Sequence, residues 1–224
     1  SDDRQLRMGR DYAREGRRLL HLGAAYSYQK PDSEIGFRAR PGSHMANKHM
    51  NTGDFPADEA RLWGVESALV LGPFSVQGEY MRSEVDVSPP YRDFSLIDVD
   101  PLFAFDVDFD GYYVQASYFL TGEHRAYDTA HGHFDQVRPR RNFSLRGPGA
   151  GAWELTLRYS ELDLNDENIR QGVVGGRGRN LTAGLNWYTS PNTRLMLNYV
   201  QADVAQRAYD GDLDIYQARF QVDF

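Results

Sequence analysis

From Leu20 to Phe224 the sequence alternates with a period of two, and no helix-length segment shows a competing 3.6-residue period. Leu20, Leu22, Ala24, Tyr26 and Tyr28 alternate with His21, Gly23, Ala25 and Ser27. Ile35, Phe37 and Ala39 alternate with Gly36, Arg38 and Arg40. Further runs carry Trp63, Val65, Leu69 and Leu71, then Phe74, Val76 and Tyr80, then Tyr112, Val114, Ala116, Tyr118 and Leu120. Trp153, Leu155, Leu157 and Tyr159 follow, then Leu181, Ala183, Leu185 and Trp187, then Leu195, Leu197 and Tyr199. The last run is Tyr216, Ala218, Phe220, Val222 and Phe224. Successive side chains of a strand face opposite sides of its sheet, so these runs predict an all-β, antiparallel fold with one apolar and one polar face.

The connections alternate in length. Lys30–Asp32, Gly72-Pro73 and Thr189–Asn192 read as short turns; 41–60, 82–108, 161–178 and 203–212 read as long loops. Residues 121–150 read as an elaborate turn, with a short hairpin as the alternative. About nine strands are therefore expected, or eleven if that segment is a hairpin. The polar Arg4–Arg18 stretch reads as loop with weak helical character.

A soluble sheet packed on a core would show the same alternation. Three features favour a transmembrane β-barrel. Aromatics gather at strand ends (Tyr26, Tyr28, Tyr80, Tyr159, Trp187, Tyr188, Tyr199), as in interfacial belts, and 14 Tyr and 12 Phe supply them. The opposing faces carry small and polar groups suited to a wet lumen. The final strand, ending on Phe224, resembles the signal read by the barrel-assembly machinery of Gram-negative bacteria, and it places the short turns in the periplasm. The mean hydropathy of −0.62 does not oppose this, because lipid-facing and lumen-facing residues average out. Ser1 is followed at once by charges rather than by an apolar signal, so an exported chain is expected here in mature or shortened form. With no cysteine, neither a disulfide scaffold nor a thiolate metal site is available. The net charge of −7 is concentrated: Glu84, Asp86, Asp93, Asp98, Asp100, Asp106, Asp108 and Asp110 against Arg92 give −7 from one segment, leaving the remainder neutral. Phe105, Val107 and Phe109 alternate with the last of these acids, which suggests a strand extending above the membrane rather than a metal loop.

Several stretches resemble the phosphate-selective porin O and P family. They are Phe37 to His44, Tyr118 to Glu123, Gly151 to Leu155, Arg158 to Ser160, Asn180 to Tyr188 and Pro191 to Val200. The resemblance runs from about residue 19 to 224. It implies part of a sixteen-stranded, trimeric barrel in the outer membrane of a Gram-negative bacterium, with inward arginines that pass phosphate or polyphosphate. Residues 1–224 then read as a single β-barrel domain forming the C-terminal portion of a longer porin, without its N-terminal strands and constricting loop. Outer-membrane lipid and lipopolysaccharide are the expected surroundings.

An anion path needs charges that lower the barrier without trapping the ion. Arginine suits phosphate because its fork donates bidentate hydrogen bonds and stays charged. Arg38 and Arg40 share one strand face, roughly 7 Å apart at strand rise, and are expected to point inward. Arg158 and Arg219 lie on polar faces by the same parity. Arg138, Arg140 and Arg141 form the densest basic cluster, placed at the exit if 121–150 folds toward the lumen. Glu154 and Glu79 are candidate acid partners. A general or sugar-selective porin, using Tyr113 and Phe119 as an aromatic slide, is the alternative. An outer-membrane enzyme and a soluble β-sandwich rank lower: Ser43-His44 is the one adjacent nucleophile–base pair, and His131 and His133 are two metal ligands without a third. No cofactor, metal or nucleic-acid partner is expected.

Overall fold

The computed structural model describes residues 4–14, 18–42, 46–87, 105–128, 133–166, 173–206 and 209–223. In chain order the strands are β1 (Arg4–Arg14), β2 (Arg18–Gln29), β3 (Glu34–Ile35), β4 (Arg38–Ala39), β5 (Met50–Asn51), β6 (Phe55–Leu71), β7 (Phe74–Val87), β8 (Phe105–Phe119), β9 (Tyr127–Asp128), β10 (His133–Phe134), β11 (Ala152–Asn165), β12 (Val174–Ser190), β13 (Thr193–Gln206) and β14 (Tyr209–Val222). Among the described residues the nine long strands form one antiparallel meander, β1-β2-β6-β7-β8-β11-β12-β13-β14. The sheet is open: β1 and β14 are its two edges. At one end the connections are tight, as at Gly72-Pro73, where Gly72 takes the positive φ (59°) that a two-residue hairpin demands.

The two faces differ completely. One is bare and apolar. Leu22, Val65, Val114, Leu155, Leu157, Leu181, Leu197, Tyr216 and Phe220 all stand exposed on it. Monomeric soluble proteins rarely present apolar patches beyond a few hundred Å². Two aromatic rows border this band. One holds Trp63 and Tyr80 (centroids 5.5 Å apart), Tyr112 and Tyr159 (6.0 Å), and Tyr199 and Tyr216 (5.2 Å). The other, nearer the tight turns, includes Trp153 stacked on Trp187 at 5.1 Å, with Phe74 opposite Tyr118. Beyond the first row the strands continue but the bare face becomes charged, with Arg61–Asp86 at 3.1 Å and Arg82–Asp108 at 2.7 Å. Asp106, Asp108 and Asp110 lie on this extension of β8, as the alternation in 105–110 suggests. Asp93, Asp98 and Asp100 lie outside the described residues.

The opposite face is covered at both ends. Residues 30–54 fold over it at one end. There Met50, Phe55, Ala57, Ala60, Val85, Val87, Val107, Phe109, Leu164, Val173 and Val204 form the main apolar core, with Phe37 5.0 Å from Phe109. Residues 120–151 cover it at the tight-turn end, where Phe119, Val137, Ala152 and Tyr188 form a second cluster.

Four expectations change. Arg4–Arg14 is a strand, paired residue for residue with β2; Arg10 breaks its apolar alternation, which is why it reads as loop. Residues 35–40 are no spanning strand. They contribute only the two-residue pieces β3 and β4, because six residues fall short of the nine to eleven needed to cross and hydrogen bonds such as Thr52 N to Phe37 O (3.0 Å) tie them into a compact loop. Lys30–Asp32 consequently opens a long connection at the end away from Gly72-Pro73, not a turn beside it. Three of the long loops shrink, because β7, β8, β11, β12, β13 and β14 continue into them: β13 reaches Gln206 and β14 begins at Tyr209. Residues 121–150 are a turn, whose own hairpin, β9 with β10, is two residues per strand. Phe224, Ser43, His44 and His131 lie outside the described residues.

Candidate functional site

The covered face has three levels. At the end under 30–54, Met50 inserts where Gly178 has no side chain; a Cβ there would meet Met50 Cε at 2.7 Å. The same loop carries Arg38, bonded to Asp54 at 2.6 Å and Asn51 at 3.1 Å, and Arg40, which donates to the Ala46 carbonyl at 2.9 Å. Both side chains are exposed on the loop. At its root, Lys30 meets Tyr28 and Glu59, and these partners raise its pKa.

The middle level mixes polar groups with the exposed Leu62 and Met81. His21 Nε2 lies 3.2 Å from Glu66 Oε1, and Glu66 stands directly opposite Glu79. Gly23 leaves room for this carboxylate; a Cβ there would come within 2.5 Å of Glu66 Oε1 and push the side chain aside. Arg158 lies over the Tyr113 ring, 3.8 Å from its centroid, in cation–π geometry. Its expected partners go elsewhere: Glu154 is taken by Arg125, and Glu79 faces Glu66. Phe119 is 1% exposed beneath the turn, so only Tyr113 of the expected aromatic pair reaches the open surface.

Arg158, Arg219 and Arg194 share this face by register. Arg158 pairs across β12 and β13 with the row of Ile215 on β14. Arg219 lies four residues further along β14, roughly 13 Å at strand rise. Arg194 is opposite Gln221, one more rung on, and donates to it at 2.9 Å. Arg219 and Arg194 are therefore diagonal neighbours, about 7–8 Å apart. Arg194 obeys the same alternation as Leu195 and Leu197, so its parity was readable in the sequence. Acids Glu66 and Glu79 sit on the β6–β7 side of the wall, and these bases sit on the β11–β14 side.

At the tight-turn level Glu154 has no exposed surface. It accepts from Arg125 Nε (3.0 Å), Asn186 Nδ2 (2.9 Å) and the Tyr188 hydroxyl (2.8 Å). Arg125 also lies 5.1 Å over the Phe134 ring. The Tyr127 hydroxyl reaches His21 Nδ1 at 2.8 Å, tying the turn to the wall. A cleft of about 410 Å³ remains between turn and sheet, lined by Arg125, Gln136, Tyr188, Arg194 and Asp223 among others. Arg125 comes from irregular chain that no periodicity flags. Arg138 and Arg141 are exposed, and Arg140 shapes the turn, its amide donating to Glu123 at 3.0 Å and its guanidinium to Gly122. Among the described residues no three His, Asp or Glu gather to hold a metal.

Comparison with known proteins agrees with this architecture. The chain is 28% identical to Porin O of Pseudomonas aeruginosa over 94% of its own length and 50% of that protein. It is 32% identical to an uncharacterized protein of Caulobacter vibrioides over 93% of its length and 40% of that protein. It thus spans half or less of the curated relatives it matches. The family model for phosphate-selective porin O and P matches residues 1–224, the β1 segment included. That match covers all nine long strands of the antiparallel sheet, and the chain belongs to the phosphate-selective porin O and P family.

Proposed function

We propose that this chain forms one wall of a water-filled, anion-selective channel in the outer membrane of a Gram-negative bacterium, serving uptake of phosphate or polyphosphate. The observation that carries the reading is the descent of Arg158, Arg219 and Arg194 along the covered face, opposite an apolar band between two aromatic rows. Arg219 and Arg194 are about 7–8 Å apart, and Arg158 stands roughly 19 Å from Arg219, four residues along and three strands across, so an anion meets them as successive stations. Permanent charge and forked donors favour phosphate oxygens, and several moderate sites avoid one trap. In this reading the tight turns face the periplasm, and 30–54 narrows the outer mouth with Arg38 and Arg40 on its surface. Arg138, Arg140 and Arg141 stand at the periplasmic end. The apolar band faces lipid, and the charged strand extensions above it reach lipopolysaccharide. The family resemblance extends the reading to a homotrimer and to transport without catalysis.

The opposed Glu66 and Glu79 give a general porin a specific observation of its own, since acids facing bases set up a transverse field without strong ion preference. Single-channel recording separates the two. Anion-selective reversal in a salt gradient, with chloride current blocked by added phosphate, supports the proposal. Cation preference, or chloride current indifferent to phosphate, removes it.

A further inference from the structure

The turn 120–151 does not end inside the wall. Its second half leaves the covered face and folds back under the opposite one. Phe143 N donates to Thr189 O at 2.8 Å, and the Phe143 ring meets Trp187 edge-on at 4.9 Å. Trp187 belongs to the bare face, stacked on Trp153, and its Nε1 donates to the Ala150 carbonyl at 2.9 Å. Phe143 therefore extends the lower aromatic row by one ring beyond the sheet. Two residues on, Leu145 is 91% exposed at the tip of a loop closed by Ser144 N to Gly149 O at 3.0 Å. Residues 138–149 hold Arg138, Arg140, Arg141 and Arg146 and no acid. The guanidinium groups of Arg138, Arg141 and Arg146 have no ion-pair partner among the described residues.

A bare leucine beside a ring at the aromatic row, flanked by unpaired arginines, has the chemistry of a membrane interface. Aromatic and aliphatic side chains enter the acyl boundary, while arginine stems lie along it and their heads reach phosphate. We infer that residues 141–149 are a lipid anchor: Phe143 and Leu145 insert into the periplasmic leaflet, and Arg141 and Arg146 bind its phospholipid phosphates. The basic cluster then serves the bilayer rather than the permeating ion. This rests on the membrane-spanning reading above, and its continuity with the Trp153–Trp187 pair and its uncompensated positive charge name lipid as the occupant.

The absence of cysteine permits a clean test. Single variants Leu145→Cys, Leu157→Cys (mid-band, bare face) and Lys48→Cys (exposed, far end) of the full chain are labelled with an environment-sensitive fluorophore and reconstituted in phosphatidylethanolamine–phosphatidylglycerol vesicles. Brominated acyl chains should quench the 145 and 157 probes, and iodide should quench the 145 probe several-fold less than the 48 probe. Adding Arg141→Gln and Arg146→Gln should move the 145 probe toward water. A 145 probe open to iodide while the 157 probe is lipid-quenched overturns the anchor and leaves the membrane reading intact. A 145 probe shielded from iodide yet indifferent to brominated lipid places a protein there and overturns it. So does a 145 probe unmoved by the arginine substitutions. A 157 probe that bromine does not quench removes the membrane reading itself, and the anchor with it.

Discussion

A carboxylate with no exposed surface has to be answered by donors, and Glu154 is answered by three. Removing one partner of such a buried pair leaves an uncompensated charge, at a typical cost of about 3–5 kcal/mol. Arg125→Ala is therefore expected to lower the unfolding midpoint in detergent far more than Arg138→Ala, whose guanidinium is exposed; thermal scans by circular dichroism compare them. Arg158 has a different role. Its cation–π contact with Tyr113 leaves it charged and solvent-facing. Arg158→Gln is expected to fold normally and to shift the reversal potential toward zero, whereas a purely structural arginine would change stability and leave selectivity alone. Strand parity in the sequence assigns Arg158 and Arg219 to polar faces; Arg194 joins them through the register of β13 with β14. Arg125 was not readable, because its contacts arise from a turn whose path depends on distant strands rather than on neighbours in sequence.

The connections carry as much of the covered face as the strands do. Residues 30–54 are held by a core in which Phe55 and Met50 are almost wholly buried. Truncating a core phenylalanine costs about 3–5 kcal/mol. Phe55→Ala is expected to loosen this loop first, so trypsin should cut at Arg38 or Lys48 while the sheet stays intact; cleavage spread evenly over the chain would contradict that. This loop also explains why residues 35–40 mislead. Their alternation is real, but it serves burial of Ile35 and Phe37 against the core rather than a crossing. β1 misleads in the opposite sense, since Leu6, Met8 and Tyr12 stand opposite Tyr26, Ala24 and Leu20 while Arg10 interrupts the row.

For the whole molecule the decisive contrast is between faces. A sheet whose bare side exposes Leu157, Val114 and Leu197 has its apolar surface where a soluble protein would have charge. The net charge of −7 and low hydropathy conceal this, because Glu84, Asp86, Asp106, Asp108 and Asp110 collect on strand extensions beyond the upper aromatic row. Lipid-facing charge is penalised with depth, by about 2–4 kcal/mol for arginine at the midplane. Leu157→Arg is accordingly expected to impair assembly into lipid, read as loss of the folded band in unheated electrophoresis, whereas Arg at Asp203, beyond the band, should be tolerated. In hydrocarbon the edges β1 and β14 each require a partner strand. The most direct test of the central claim is the zero-current potential of single channels in a potassium chloride gradient, before and after Arg158, Arg194 and Arg219 are all changed to Gln. The arginine wall predicts anion-selective reversal that collapses toward zero in the triple variant; cation-selective reversal, or anion selectivity that survives the loss of all three, would contradict it.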